Sequence, residues 1–261
     1  MRIALGLSYH GGRYEGWQSQ PSGRTVQDHL EAALTRFLAV PAVSTLCAGR
    51  TDAGVHGMNQ VVHFDTTLSR PENAWVRGTN SFLPPDIAVQ WAREVGDGFH
   101  ARASARSRRY AYVLLESPVR PSVDSGLVGW VFRPLDLEPM QAAAQALIGE
   151  HDFTSFRAAQ CQAHTPVKRM LRIDIARRGA YWRFEFEANA FLHHMIRNIM
   201  GCLVYIGTGA RPAGWMAEVL AARSRDAAAP TFSPDGLYFL GPVYDPELGL
   251  PERTPAFDWL P

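Results

Sequence analysis

The chain has 261 residues, 46% of them hydrophobic and 20% charged, with 26 basic side chains against 25 acidic and a net charge of +1. That apolar content excludes a disordered chain, and three widely spaced cysteines, Cys47, Cys161 and Cys202, exclude a disulfide framework or a zinc ribbon and fit a reducing compartment. The opening segment, MRIALGLSYHGG, has no long apolar run, and no stretch approaches the ~20 apolar residues of a membrane span, so a cytoplasmic location with no membrane partner is expected.

Alternation of apolar residues marks Arg2–Ser8 as a strand with Ile3, Leu5 and Leu7 on one face. After a Gly-rich turn, Thr25-Val26-Gln27-Asp28 resembles a capping box, and Val26, Leu30, Ala33, Leu34, Phe37 and Leu38 follow at helical spacing. Ser44–Ala48 and Gln60–Asp65 are strand candidates flanking Gly49-Arg50-Thr51-Asp52-Ala53-Gly54-Val55-His56-Gly57. Pro71–Phe82 reads as a helix, Pro71 suiting a first turn, and Ile87–Val95 as a strand. The order βαββαβ is that of a ferredoxin-like or RRM-like half.

A second half repeats the theme. Arg109–Leu115 reads as a strand with Tyr110 and Tyr112 on one face, and Glu138–Ile148 as an Ala-rich helix. Met170–Ile175 and Tyr181–Glu187 form a hairpin around Arg178-Gly179. Ala190–Ile206 and Trp215–Ala222 read as helices, and Tyr238–Tyr244 as a closing strand. The expected fold is α+β: two RRM-like or ferredoxin-like halves with antiparallel sheets flanking a central catalytic cleft. The expected division is a catalytic half over residues 1–104, a second α+β half over 105–245, and a C-terminal tail over 246–261.

Three constellations stand out. The Gly49–Gly57 segment places three glycines around Arg50, Asp52 and His56, more than a plain turn requires; either Asp52 caps the turn or the loop presents its carboxylate. It lacks the Gly-Lys-Ser/Thr of a phosphate-binding loop and a second nearby carboxylate. His193 and His194 are adjacent, and on a helix they would point about 100° apart, which argues against a metal pair. All but one of the basic residues are arginine, the exception being Lys168. Arg102, Arg106, Arg108 and Arg109 crowd the start of the second half beside Tyr110, either as a solvated linker or as a phosphate-binding run. Arg197 is a lone charge on an apolar helix and needs a partner.

These residues carry a resemblance. Leu7-Ser8-Tyr9, Gly16 through Pro21, Gly49 through His56, Leu83-Pro84-Pro85-Asp86-Ile87, Phe99 through Arg102 and Arg108-Arg109-Tyr110 are similar to the tRNA pseudouridine synthases of the TruA family. So are His151 through Phe156, Phe191 through Asn198 and Gly236-Leu237-Tyr238. The resemblance implies an isomerase that converts uridine to pseudouridine at positions 38, 39 and 40 of the tRNA anticodon stem-loop. It implies no cofactor, no metal and a homodimer. Asp52 matches the family's catalytic aspartate, which stabilises or attacks the glycosidic carbon or removes the C2′ proton. Arg197 matches the arginine that pairs with it, Tyr110 the tyrosine that packs on the target base, and Arg50 an arginine that fills the place of the flipped base or holds its phosphate. His56 completes the substrate-binding set. Arg102, Arg106, Arg108 and Arg109, with some of Arg169, Arg172 and Arg197, are expected to form a basic groove along the RNA backbone. The sequence departs from the family pattern at His10, His193 and Gly57; a glycine at 57 is expected to loosen the loop slightly.

Overall fold

A computed structural model describes residues 1–251, so most of the expected tail over 246–261 lies outside the described residues. The chain divides into two compact units. Among the described residues, the first holds residues 1–107 and the stretch from Tyr238 to residue 251; the second runs from Arg108 to Leu237.

In the first unit the order is β1 (Arg2–Tyr9), α1 (Val26–Leu38), β2 (Leu46–Cys47), β3 (His56–Asp65), α2 (Glu72–Asn80) and β4 (Ile87–Val95), and the βαββαβ reading holds. β1 lies between β3 and β4, antiparallel to both, and β2 adds to β3. Thr25 and Asp28 form the expected capping box at α1, and Ala39 closes that helix in the left-handed region. Pro71 sits one place earlier than expected, at the N-cap of α2.

Both faces of this sheet are covered. Ile3, Leu5, Leu7 and Tyr9 join Val62, Phe64, Ile87 and Val89 under Leu30 and Leu34 of α1 and Trp75 of α2. The opposite face buries Ala4, Ala48 and Val61 under Phe99 and Ala101. A bulge at Gln90 shifts the register of β4, so Ala92 turns to the same core as Ile87 and Val89. The arginine-bearing stretch after Phe99 is therefore no loose linker. Ala101 donates its N–H to His63 Nδ1 at 3.1 Å, and Tyr244 donates its hydroxyl to the Ala101 carbonyl at 2.6 Å. The late strand β10 (Leu237–Val243) belongs largely to this unit and runs parallel to β3, with Tyr238 opposite His56 and Phe239 opposite Gly57.

The second unit contains β5 (Ser107–Glu116), β6 (Gly129–Val131), α3 (Leu137–Gln145), β7 (Gly149–Asp152), β8 (Val167–Arg178), β9 (Tyr181–Ala188), α4 (Met195–Gly207) and α5 (Trp215–Ala222). β5, β9, β8 and β7 pair antiparallel in that spatial order, and β6 lies parallel to β5. The β8–β9 hairpin turns through Gly179, whose φ of +61° places a glycine where the turn requires one. α4 is mostly apolar and buried along most of its length, with Arg197 and Asn198 the polar residues of its first turn. It begins at Met195, not Ala190. His194 adopts φ +62° at its N-cap, and the carbonyl of His193 is taken by the N–H of Ala158, so His193 and His194 precede the helix rather than ride on it.

Candidate active site

The segment from Gly49 to His56 is held by backbone contacts along its length. Ala48 N–H donates to Val61 O at 2.8 Å and Gln60 Nε2 donates to Gly49 O at 2.6 Å, which anchors the entry to β3. Thr51 is gripped twice: its carbonyl accepts the Trp17 N–H at 3.0 Å, and its hydroxyl meets the Tyr9 hydroxyl. The carbonyl of Asp52 accepts the Val55 N–H at 3.1 Å and closes a tight turn, while Gly54 donates to Tyr14 O at 3.4 Å. Gly54 has φ +81°, the region glycine enters without strain.

Tyr14 is itself anchored, its hydroxyl donating to Asp86 Oδ1 at 2.5 Å; burial and that carboxylate push the phenol above its ordinary range. Asp52 is half-buried in the middle of this clamp, and Arg50 is exposed two residues before it. The expected loosening at Gly57 is not what the structure shows. The ring of Tyr9 occupies the space beside it, and a Cβ there would come within 2.4 Å of that ring.

His56 is 2% exposed. Its Nδ1 accepts the Gly11 N–H at 3.1 Å, its ring stacks on Tyr238 at 4.6 Å between centroids, and the ring of His10 meets it edge-on at 4.6 Å. Arg102 and Arg106 belong to the same unit. His100 Nδ1 accepts the backbone N–H of Arg102 at 3.1 Å and of Ala103 at 3.3 Å, so the Arg102 turn has a defined shape with its side chain exposed. Arg106 pairs with Asp245.

Tyr110 and Arg197 lie in the second unit. Tyr110, on β5 opposite Phe186, packs edge-to-face on Phe191 with centroids 5.1 Å apart. Arg197 stands in the first turn of α4. Its Nε donates to Phe232 O at 2.8 Å, and the Phe232 N–H returns a bond to the Arg197 carbonyl at 3.1 Å. Beside it Asn198 is fully buried and uses both ends of its amide: Nδ2 donates to Phe156 O at 2.8 Å, and Oδ1 accepts from Thr231 at 2.7 Å and Arg225 at 3.2 Å.

Arg108 donates to Asn189 O at 2.9 Å, and Arg109 lies 3.7 Å from Glu185. Arg172 bridges Glu185 at 2.8 Å and Asp174 at 2.9 Å. Arg106, Arg109 and Arg172 thus meet carboxylates, which offsets part of the positive charge expected of the run. Three supporting residues have no role legible in the sequence alone: Phe191, Asn198 and Tyr238. All fall inside stretches that carry the family resemblance, which is the signal that marks them.

Comparison with known proteins places these features in a family. A family model described as tRNA pseudouridine synthase matches residues 7–102 and 143–245. The tRNA pseudouridine synthase A of Polaromonas sp. is 71% identical over 265 residues, that of Methylibium petroleiphilum 69% over 261, and that of Paracidovorax citrulli 68% over 279, each match covering all of both chains. With the GRTDAGVH loop and Arg197 inside the matched segments, and relatives at 68–71% identity aligned over the whole chain, the chain belongs to the tRNA pseudouridine synthase family.

Proposed function

We propose that this chain isomerises uridine to pseudouridine at positions 38, 39 and 40 of the tRNA anticodon stem-loop, with Asp52 as the catalytic residue. The observation that supports this most directly is the clamp on Asp52. Its neighbours Thr51, Gly54 and Val55 are all tied by backbone bonds, while Asp52 itself is half-buried. A carboxylate carried on a backbone that is held before substrate arrives needs less reorganisation when charge develops opposite it.

The reaction breaks the bond between C1′ and N1, turns the uracil, and joins C5 to C1′. N1 gains a proton and C5 loses one, so the balance closes with no oxidant, reductant or group donor. Positive character grows at C1′ as the first bond breaks. Asp52 stabilises it, adds to it, or removes the C2′ proton, and each of these roles requires the ionised carboxylate. Stacking of the base on the Tyr110 ring contributes about 1–3 kcal/mol, which offsets part of the few kcal/mol needed to extrude a stacked base. Arg197 supplies the balancing cation, Arg50 the contact to the flipped nucleotide's place or phosphate, and Arg102, Arg106, Arg108 and Arg109 contacts to the RNA backbone. A homodimer working in the cytoplasm is part of the same reading and rests on the family resemblance. In keeping with it, no helix among the described residues is long and apolar enough to cross a membrane.

The test is release of tritium from tRNA labelled at uridine C5. The chain should release label from the anticodon stem-loop, and Asp52→Asn should lower the rate by about 10²–10⁴-fold with tRNA affinity retained. Retention of label by the unaltered chain, or free uracil with an abasic site in place of an isomer of unchanged mass, would refute the proposal.

A further inference from the structure

We infer that His56 is a positioning residue for Asp52, acting through the backbone of the loop and not through contact with RNA. The inference rests on the reading of Asp52 as the catalytic residue and assigns His56 a different task from the substrate contact expected of it.

Three segments of the first unit converge on this ring. Gly11 N–H donates to Nδ1 at 3.1 Å, Tyr238 of β10 stacks on one face, and His10 closes an edge. Gly11 also presses on the loop itself: a Cβ at that position would lie 1.9 Å from Val55 O, so the His10–Gly12 turn is packed against the residue that precedes His56. Val55 in turn supplies the N–H that closes the Asp52 turn at 3.1 Å. A displacement of the His56 ring therefore passes to Val55 and then to Asp52 through two bonded residues and one hydrogen bond. At 2% exposure the ring has almost no surface to offer a polyanion.

The chemistry of the ring fits this task. A neutral imidazole has one acceptor nitrogen, and accepting at Nδ1 places the proton on Nε2. Phenylalanine would preserve a planar ring against Tyr238 but leave the Gly11 N–H without its acceptor. Asparagine would carry an acceptor oxygen close to the place of Nδ1.

His56→Phe, His56→Asn and Asp52→Asn are compared in the tritium-release assay. His56→Phe should lower kcat by about 10- to 100-fold with KM for tRNA unchanged, the effect of a small displacement of a catalytic group, and His56→Asn should recover most of that rate. A rise in KM at unchanged kcat would show RNA contact and overturn the inference. So would a wild-type rate in His56→Phe, or an equal loss in both His56 variants. If Asp52→Asn is inactive while His56→Phe is unimpaired, only the positioning role fails; if Asp52→Asn turns over normally, the active-site reading fails and takes this role with it. Nitrogen-15 NMR of the unaltered chain near neutral pH tests the same claim without any variant. The neutral ring protonated at Nε2 is expected, and a ring protonated at Nδ1 overturns it.

Discussion

The hydroxyls of Tyr9 and Thr51 lie 2.8 Å apart, buried where the end of β1 meets the residue before Asp52. Burial holds the Tyr9 phenol far above its usual range, so the group remains protonated at any working pH and the bond persists. It links the sheet core directly to the turn, because Tyr9 belongs to the same buried cluster as Leu7 and Val62 and its ring meets that of Trp17 at 5.9 Å between centroids.

Tyr9→Phe should therefore separate stability from geometry. Loss of one buried hydroxyl contact should cost about 0.5–1.5 kcal/mol in urea unfolding, and turnover should fall several-fold as the Thr51–Asp52 backbone gains freedom. An unchanged unfolding curve would mean that the bond contributes nothing to the fold.

Gly16 carries a stricter requirement. Its φ is +88°, and a Cβ would stand 2.7 Å from Thr51 O and 3.2 Å from Ala53 N. Gly16→Ala combines a left-handed backbone with a clash against the Asp52 turn. A loss of about 1–3 kcal/mol is expected, together with a turnover defect larger than that of Tyr9→Phe. Thermal unfolding and tritium release measure the two effects.

Asn198→Ala should unfasten the other arm of the proposed chemistry. The buried amide bonds Phe156 O, Thr231 and Arg225, and truncation leaves these groups without that partner. The cost should be about 1–3 kcal/mol, read by urea unfolding. Asn198→Asp keeps the acceptor for Arg225 and Thr231 but loses the donor to Phe156, so it should be destabilised for a different reason and more steeply at neutral pH.

Acid sensitivity should carry the mark of His63. Burial, with the Arg2 cation and the His100 ring nearby, holds its pKa down to about 4, and its Nδ1 accepts the Ala101 N–H only while neutral. The folded state thus binds this proton less readily than the unfolded chain, whose histidine titrates near 6.5. Its contribution to stability is complete above about pH 6.5 and is lost as pH falls toward 4. Unfolding free energies across that window should drop with acid in the unaltered chain and vary less steeply in His63→Gln. An equal slope in both would assign the acid loss to other groups.

How far each feature could be read from sequence follows from the distance over which it is determined. β4 and α5 fall where alternation and helical spacing put them, because those periods are local. β6 and β7, three and four residues long, are too short to show a period, and both exist through the strand beside them. α4 starts later than its sequence suggests because residues 190–194 have helical composition, whereas the His193 carbonyl is taken by Ala158, more than thirty residues away, and His194 is left-handed.

By itself the amino-acid order determined the family, the βαββαβ half and the identity of the residues offered for chemistry, since motif strings and side-chain periodicity reside in neighbouring positions. Only the tertiary structure decided what holds them. It turned a stretch resembling a linker into a packed segment under Ala101, and set a strand from beyond residue 236 against β3. It also buried His56 between Gly11 and Tyr238. Hydrogen bonds and ring contacts join residues by position in space, and two residues 182 apart in the chain, such as His56 and Tyr238, become neighbours only when the sheet forms.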